Sequence, residues 1–460
     1  MKGALRFLVV VLMTSAAGSA FAASFDVGDL LSNSTGVQGS VSGSPSLVQN
    51  DLAQLWMQAA FGDSIILNGQ LGLTYANAQT GFGNALSPQV LAVDLNTLNL
   101  QATFPQPQPG VSLYQYTLGR ATVSDFSALV LSQNADGLSM TFGFPVASLN
   151  VAMAYTGLLL KPSTTIVLSR ADAADSVNPA VLFAPPRLLE ALQLTFPAVF
   201  GQRIILQAIA QEDMRGTVLD LATPAKTSEI VKLGQTTQDP TLGGPVSTQY
   251  FGLELDGPIV GALYYDAYGY LQTGQFLQYT DGSYQQAGQL AYLASIGLRY
   301  YAPDLLFSAV GAKLLFASGD ASATTVVEGK AAGTSSAFTP ITNATIAYVF
   351  SPQLTNIAYG EVSYSLKPLT AIRAALADSL QTQVVADVFL RPTPGATSAP
   401  GIVAGNTDLY LGTEVDLVVT ARPVSDIGLT LTAGVFMPGS AFGAAPAIQY
   451  KTGLEVSISI

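Results

Sequence analysis

The chain has 460 residues, and its 30 Asp and Glu outnumber 18 Lys and Arg to give a net charge of −12. Charged residues are only 10% of it, against about 25% in an ordinary soluble protein, while mean hydropathy is +0.39. The acidic balance excludes nucleic acid as a partner, because phosphate binding needs a basic footprint. The absence of His and Cys excludes His-based catalysis, thiol chemistry and Cys/His metal sites.

The chain opens with Lys2 and Arg6, then an apolar run over 7–13, then Ala20-Phe21-Ala22. A positive start, a short apolar stretch and an A-x-A site predict a secretory signal peptide over 1–22. The run is too short for a spanning helix, and no Cys stands near the cleavage site to carry a lipid anchor. Its removal, with Lys2 and Arg6, takes the net charge from −12 to −14. Residues 23–62 read as a periplasmic N-terminal extension or small plug, Ser- and Gly-rich over 24–49, with 51–62 as a helical turn or a strand.

Residues 63–460 repeat one pattern, alternating apolar with polar or small residues between turns. Near the C-terminus, Ile448, Tyr450, Thr452, Leu454, Val456 and Ile458 oppose Gln449, Lys451, Gly453, Glu455, Ser457 and Ser459. Period-two alternation predicts a strand with two different faces. The second face is Gly, Ser, Thr, Gln and Tyr with scattered charges, which suits a narrow wet lumen. No uninterrupted apolar stretch beyond the signal is long enough for a membrane helix. In lipid the backbone must pair within the structure, so a closed barrel remains.

Connection lengths alternate. Short ones fall at 105–110, 145–146, 197–202, 257–258, 303–304, 367–368 and 422–426, with long ones between them, such as 160–187, 214–246, 274–288 and 319–356. Short periplasmic turns and long outer loops predict an all-β, transmembrane, antiparallel up-and-down β-barrel of about 16 strands, within about 14 to 18, with both ends periplasmic. Residues 338–352 read as a structured part of an outer loop rather than another strand. Aromatics near segment ends (Tyr300, Tyr301, Phe307, Phe316, Tyr364, Phe389, Phe436) fit interface girdles or plain β-propensity.

On this pattern the mature chain resembles Gram-negative outer-membrane porins and substrate channels. That resemblance implies insertion by the β-barrel assembly machinery into outer-membrane lipid and diffusion of small polar solutes, with homo-oligomers possible. The chain departs from such barrels at Ser459-Ile460, where a terminal aromatic is usual. Leu118-Gly119-Arg120 and the segment from Tyr410 to Leu417 are also similar to carboxylate-polymer export channels of the alginate-export type.

No cofactor is expected and no phosphate loop is present. Asp172, Asp175 and Asp281 are read as solvated loop carboxylates rather than calcium ligands. Glu414 with Asp416, and Asp266 with Glu254, could serve glycoside hydrolysis, but a cation-attracting lumen wall accounts for them better. The candidate pore-lining residues are charges on inferred lumen positions. The basic ones are Arg203, Arg299, Lys313, Arg373 and Lys451, with Lys367 nearby. The acidic ones are Asp213, Glu254, Asp266, Glu361, Asp387, Glu414, Asp416 and Glu455. Rings of such charges set selectivity in pores. Tyr264, Tyr268 and Tyr410 are candidates for a sugar-stacking track. The expected role is an outer-membrane channel for small hydrophilic solutes. The alternatives are a fatty-acid-type transporter for hydrophobic substrates and a plugged structural or adhesive barrel.

Overall fold

Alternation with β-branched and aromatic residues commits the chain to strands, each paired antiparallel with its sequence neighbour. The computed structural model describes residues 24–80, 90–215, 233–237, 243–323, 333–370, 372, 375–403, 405–444 and 446–459. The expected signal peptide at 1–22 and the candidate Arg373 lie outside the described residues.

The first nine strands are β1 (Ser24–Ser40), β2 (Ser46–Phe61), β3 (Ile65–Thr80), β4 (Val90–Gln108), β5 (Val111–Ser124), β6 (Ser132–Gly143), β7 (Ser148–Tyr155), β8 (Arg187–Val199) and β9 (Gln202–Asp213). The other nine are β10 (Ser247–Val260), β11 (Leu263–Thr280), β12 (Ser283–Ala302), β13 (Ser308–Ala317), β14 (Ile357–Leu366), β15 (Gln381–Leu390), β16 (Tyr410–Val424), β17 (Ile427–Pro438) and β18 (Gln449–Ser459). They form one 18-stranded sheet that closes by pairing β1 with β18, from Leu30↔Ser459 to Ser40↔Gln449.

The N-terminal expectation is corrected here. Residues 24–61 are neither an extension nor a plug: they are β1 and β2, the hairpin that completes the ring. The sixteen strands from Ile65 onward, β3 to β18, match the alternation count, and the hairpin supplies the rest. Small side chains hid β1, but its backbone is paired on both edges, and that satisfies it in lipid.

The exterior is apolar. Along β12, Leu290, Tyr292, Ile296 and Leu298 are exposed while Ala291, Leu293 and Ser295 between them are buried. Such a face is stable only against lipid. Ten-residue strands such as β13 and β15 run about 33 Å. Tilted by about 40°, they cover the roughly 25 Å apolar band of an outer-membrane barrel.

Aromatics collect on this face near the short turns. Phe104, Tyr114, Tyr116 and Phe142 form one patch, and Tyr300, Phe307 and Tyr364 are exposed around the same rim. Phe316 stacks on Tyr292 on the outer face at 5.6 Å. Phe389 and Phe436 instead turn inward and are fully buried, so the girdle reading does not hold for them.

Two connections differ from the expected lengths. The 274–288 segment is not a long loop. β11 and β12 continue to a two-residue turn at Asp281-Gly282, where both φ are positive (51° and 75°), as a type I′ hairpin requires. The 367–368 turn is a longer connection, 367–380, that includes a short helix over Ala375–Ser379. Residues 338–352 belong to the β13–β14 connection, as expected, and they fold into the barrel.

Candidate functional site

Direct cross-strand partners share a face, and the register carries one inward row around half the wall. Arg203 pairs with Asp256, Asp256 with Asp266, Asp266 with Gly297 and Gly297 with Lys313. Lys313 then pairs with Glu361, Glu361 with Asp387 and Asp387 with Glu414. The row runs perpendicular to strands that tilt, so it climbs as a spiral. It starts near the short turns at Arg203, the second residue of β9, and ends near the long loops at Glu414 in β16. Glu254 and Asp416 stand two residues from the row on the same faces.

Exposure falls along the spiral. The Arg203 side chain is 46% exposed and donates from Nε to Asp256 Oδ1 at 2.6 Å, with Nη2 lying 3.6 Å from Glu254 Oε2. Asp266, Lys313 and Glu361 are half-buried, and Lys313 Nζ lies 5.8 Å from the Tyr359 ring. Asp387, Asp416 and Glu414 are buried.

The burial comes from connections folded into the barrel. Glu414 accepts backbone N–H bonds from Val349 and Phe350, each at 2.7 Å. Phe350 stacks on Phe436 at 4.3 Å and meets Phe389 edge-on at 5.1 Å. Inward glycines make room: a Cβ on Gly434 would collide with Asp416 and Val349, and one on Gly453 would press on Tyr348.

A second inserted segment, 125–131, is held by Asp125. Its carboxylate accepts from the backbone of Leu131 at 2.7 Å and from the Tyr270 hydroxyl at 2.6 Å. The two segments bond to each other, Ile341 N to Val130 O at 2.8 Å. Tyr250 donates to Thr339 O at 2.5 Å, and Gln272 accepts from Thr339 N at 2.8 Å. The resulting buried cluster uses wall residues of β7 to β17 and none from β1–β4 or β18.

The remaining candidates occupy distinct places. Lys451 faces inward, with Nζ 4.4 Å from the Tyr348 ring centroid and 3.3 Å from Tyr348 O. Glu455 accepts from Ser32 Oγ at 3.1 Å. Arg299 lies at the short-turn rim, its Nη1 donating to the Tyr301 hydroxyl at 3.4 Å.

Asp213 needs correction. It points inward, yet its side chain is fully sealed. It pairs with Arg187 at 2.9 Å and Arg215 at 2.5 Å, while Arg187 also binds Asp172 at the start of helix α1 (Arg170–Val177). This cluster locks the 156–186 connection to the wall and does not line open lumen. Asp172 is buried in it, so it is not a solvated loop residue. Among the described residues no cluster has metal-binding geometry. The tyrosine track also dissolves: Tyr264 meets Tyr301 at the short-turn rim, Tyr268 packs on Phe126, and Tyr410 bonds Thr413.

Other inward residues were missed. Asp256 shares strand parity with Glu254, a signal the sequence contains. Asp125 sits in a loop, where parity gives no guide. The inward face of β2–β4 is an amide wall: Gln70 donates to Gln54 at 3.2 Å, Gln58 to Asn68 at 3.0 Å, and Asn68 to Asn99 at 3.1 Å. At the long-loop mouth a cavity of about 630 Å³ is lined by Gln38, Ser40 and Ser46 on one side and Pro400 and Phe442 on the other.

Residues 236–452 match the alginate-export family, a span that includes the Tyr410–Leu417 segment but not Leu118-Gly119-Arg120. No curated protein matches the chain in sequence. Among solved structures it is similar to OccK5 (OpdH) of Pseudomonas aeruginosa, at 10% identity over 96% of this chain and 99% of that one, with a TM-score of 0.55. OccK7 (OpdD) of the same organism gives 10%, 95%, 99% and 0.53. OccAB3 of Acinetobacter baumannii gives 9%, 95%, 99% and 0.53. Apolar exterior, closed sheet and these likenesses agree on the fold: the chain is an 18-stranded antiparallel β-barrel with an apolar outer face, as a membrane-spanning barrel requires.

Proposed function

We propose that the barrel conducts small hydrophilic solutes across the outer membrane and favours cations. The spiral of inward charges carries this reading. On its half-buried stretch Asp256, Asp266 and Glu361 outnumber the cations Arg203 and Lys313, with Glu254 beside Arg203. Charged rings in a narrow, low-dielectric passage set the sign of the permeant ion. The hydrophilic lumen and polar mouth favour a polar cargo over a fatty one, and the alginate-export match over 236–452 agrees with hydrophilic cargo.

The reading assigns transport and no reaction. It takes 1–22 as the export leader, the short turns as periplasmic, the β-barrel assembly machinery as the insertion route, and homo-oligomers as compatible with the fold. The test is single-channel recording in a planar bilayer under a salt gradient. Stepwise conductance with a cation-selective reversal potential is expected. Silence from a folded barrel refutes the channel, and an anion-selective potential refutes the role of the spiral.

A further inference from the structure

The part of the wall left uncovered by the inserted segments has its own chemistry. Residues 24–108 contain no Lys or Arg, so the inward face of β1–β4 carries no cation. On it stands Trp56, the one tryptophan of the chain. Gln54, Gln58 and Gln70 share its face, and Trp56 pairs directly with Gln70 and Gly28. Gly28 brings no side chain to crowd the ring. Trp56 is 39% exposed although it points into the lumen, and among the described residues nothing accepts its indole N–H.

Asp26 also faces inward, directly opposite Gln58 and diagonal to Trp56. Among the described residues it has no basic partner. A large aromatic ring open to the lumen, unpaired with any cation and bordered by amides and a carboxylate, offers a free stacking face with hydrogen-bonding groups at its edge. The indole face is electron-rich and suits a flat, weakly positive C–H surface. The amides offer donors and acceptors together, and Asp26 offers an acceptor. A pyranose ring matches both requirements, with axial C–H groups on its face and hydroxyls around its rim. The carboxylate and the missing cations select against an anionic sugar.

We infer that Trp56, with Gln54, Gln58, Gln70 and Asp26, forms a subsite for an uncharged pyranose on the path through the lumen. This deepens the channel reading and rests on it for its place in transport, but binding at Trp56 can be measured without transport.

The full-length mature protein in detergent micelles reports on the site through its single tryptophan. A linear glucose oligomer should shift Trp emission saturably, and a uronic acid oligomer of equal length should bind several-fold more weakly. Asp26→Asn should level that difference, and Gln58→Ala should weaken the glucose oligomer while keeping the reporter. In planar bilayers the glucose oligomer should interrupt the current, and Trp56→Ala should raise the half-blocking concentration by about tenfold, with Trp56→Phe retaining part of the block.

Unchanged emission overturns the proposal. So does equal binding of the uronate, or a shift given by tetramethylammonium and not by sugar, which would make the site a cation–π pocket. A saturable sugar-induced shift in a barrel that never conducts would refute the channel and leave the subsite standing.

Discussion

Glu414→Gln tests how the inserted 343–353 segment is held. The carboxylate accepts two buried N–H bonds at 2.7 Å, from Val349 and Phe350. A glutamine keeps one acceptor oxygen and turns an NH₂ toward the other N–H. One charge-assisted bond, about 1.5–3 kcal/mol, is lost, and a buried donor is left unmade. At about 3 kcal/mol in total, the ratio of docked to undocked segment falls by about 150-fold. Phe350→Ala removes the stack on Phe436 and the edge contacts to Phe389 and Phe442 and costs about 3–5 kcal/mol. Both changes release the same segment, so the double variant should fall short of the sum. The assay pairs single-channel recording with limited proteolysis of 343–353. Expected are a noisier, larger conductance and faster cleavage in each variant. Both variants folding normally, with wild-type current noise and cleavage rate, would refute the assignment of Glu414 as the anchor.

Three further outcomes follow from other places in the barrel. Arg187→Met leaves Asp172 and Asp213 buried around an apolar side chain, and should cost about 3–5 kcal/mol, read as a lower melting temperature and earlier cleavage within 156–186. Leu314, 63% exposed near the middle of β13, faces lipid, so Leu314→Arg should cost about 2–4 kcal/mol in a denaturant titration in lipid, whereas a change of that size at an interface position should cost little. Lys313→Glu places a carboxylate between Asp266 and Glu361 along the spiral and should move the reversal potential further toward the cation, with an unchanged potential counting against the spiral as the selective element.

The sequence resolved what alternation controls. Strand identity, facing and the inward placement of Arg203, Lys313, Glu361, Asp387 and Asp416 all follow from period two, because a one-residue slip would put each charge into lipid. Three features escaped it. β1 is rich in Ser and Gly, and its few large apolar residues, Phe25, Val27, Leu30, Leu31 and Val37, do not keep a single parity, so its pattern is faint and only the closure of the ring fixes it as a strand. The Asp281-Gly282 turn was legible in principle, as Asp-Gly between alternating segments, but Gln and Tyr at 275–286 read as loop. Asp213 and Glu414 show the limit of parity. Alternation says that a side chain points inward, and it is silent on whether water or another segment of chain waits there.

The lopsided lumen has a physical reason. The described connections that fold inward leave β5, β7, β13, β15 and β17, so the long-loop half of the wall from β7 to β17 is a protein interior, while nearer the short turns Arg203, Asp266, Lys313 and Glu361 stay partly exposed. Carboxylates survive there where partners neutralise them: Asp125 and Glu414 by backbone N–H groups, Asp213 by two guanidinium groups. On the opposite side, the β1–β2 and β2–β3 connections are too short to reach in, and water must satisfy the wall. Neutral amides suit that side. They bond to each other across β2, β3 and β4 and still present free donors and acceptors. A charged wall there would draw counterions into the open half and be screened by salt. The division leaves two different surfaces along one passage: a charged spiral that discriminates by sign, and a cation-free amide wall around Trp56, with Asp26 at its edge, that discriminates by shape and hydroxyl pattern.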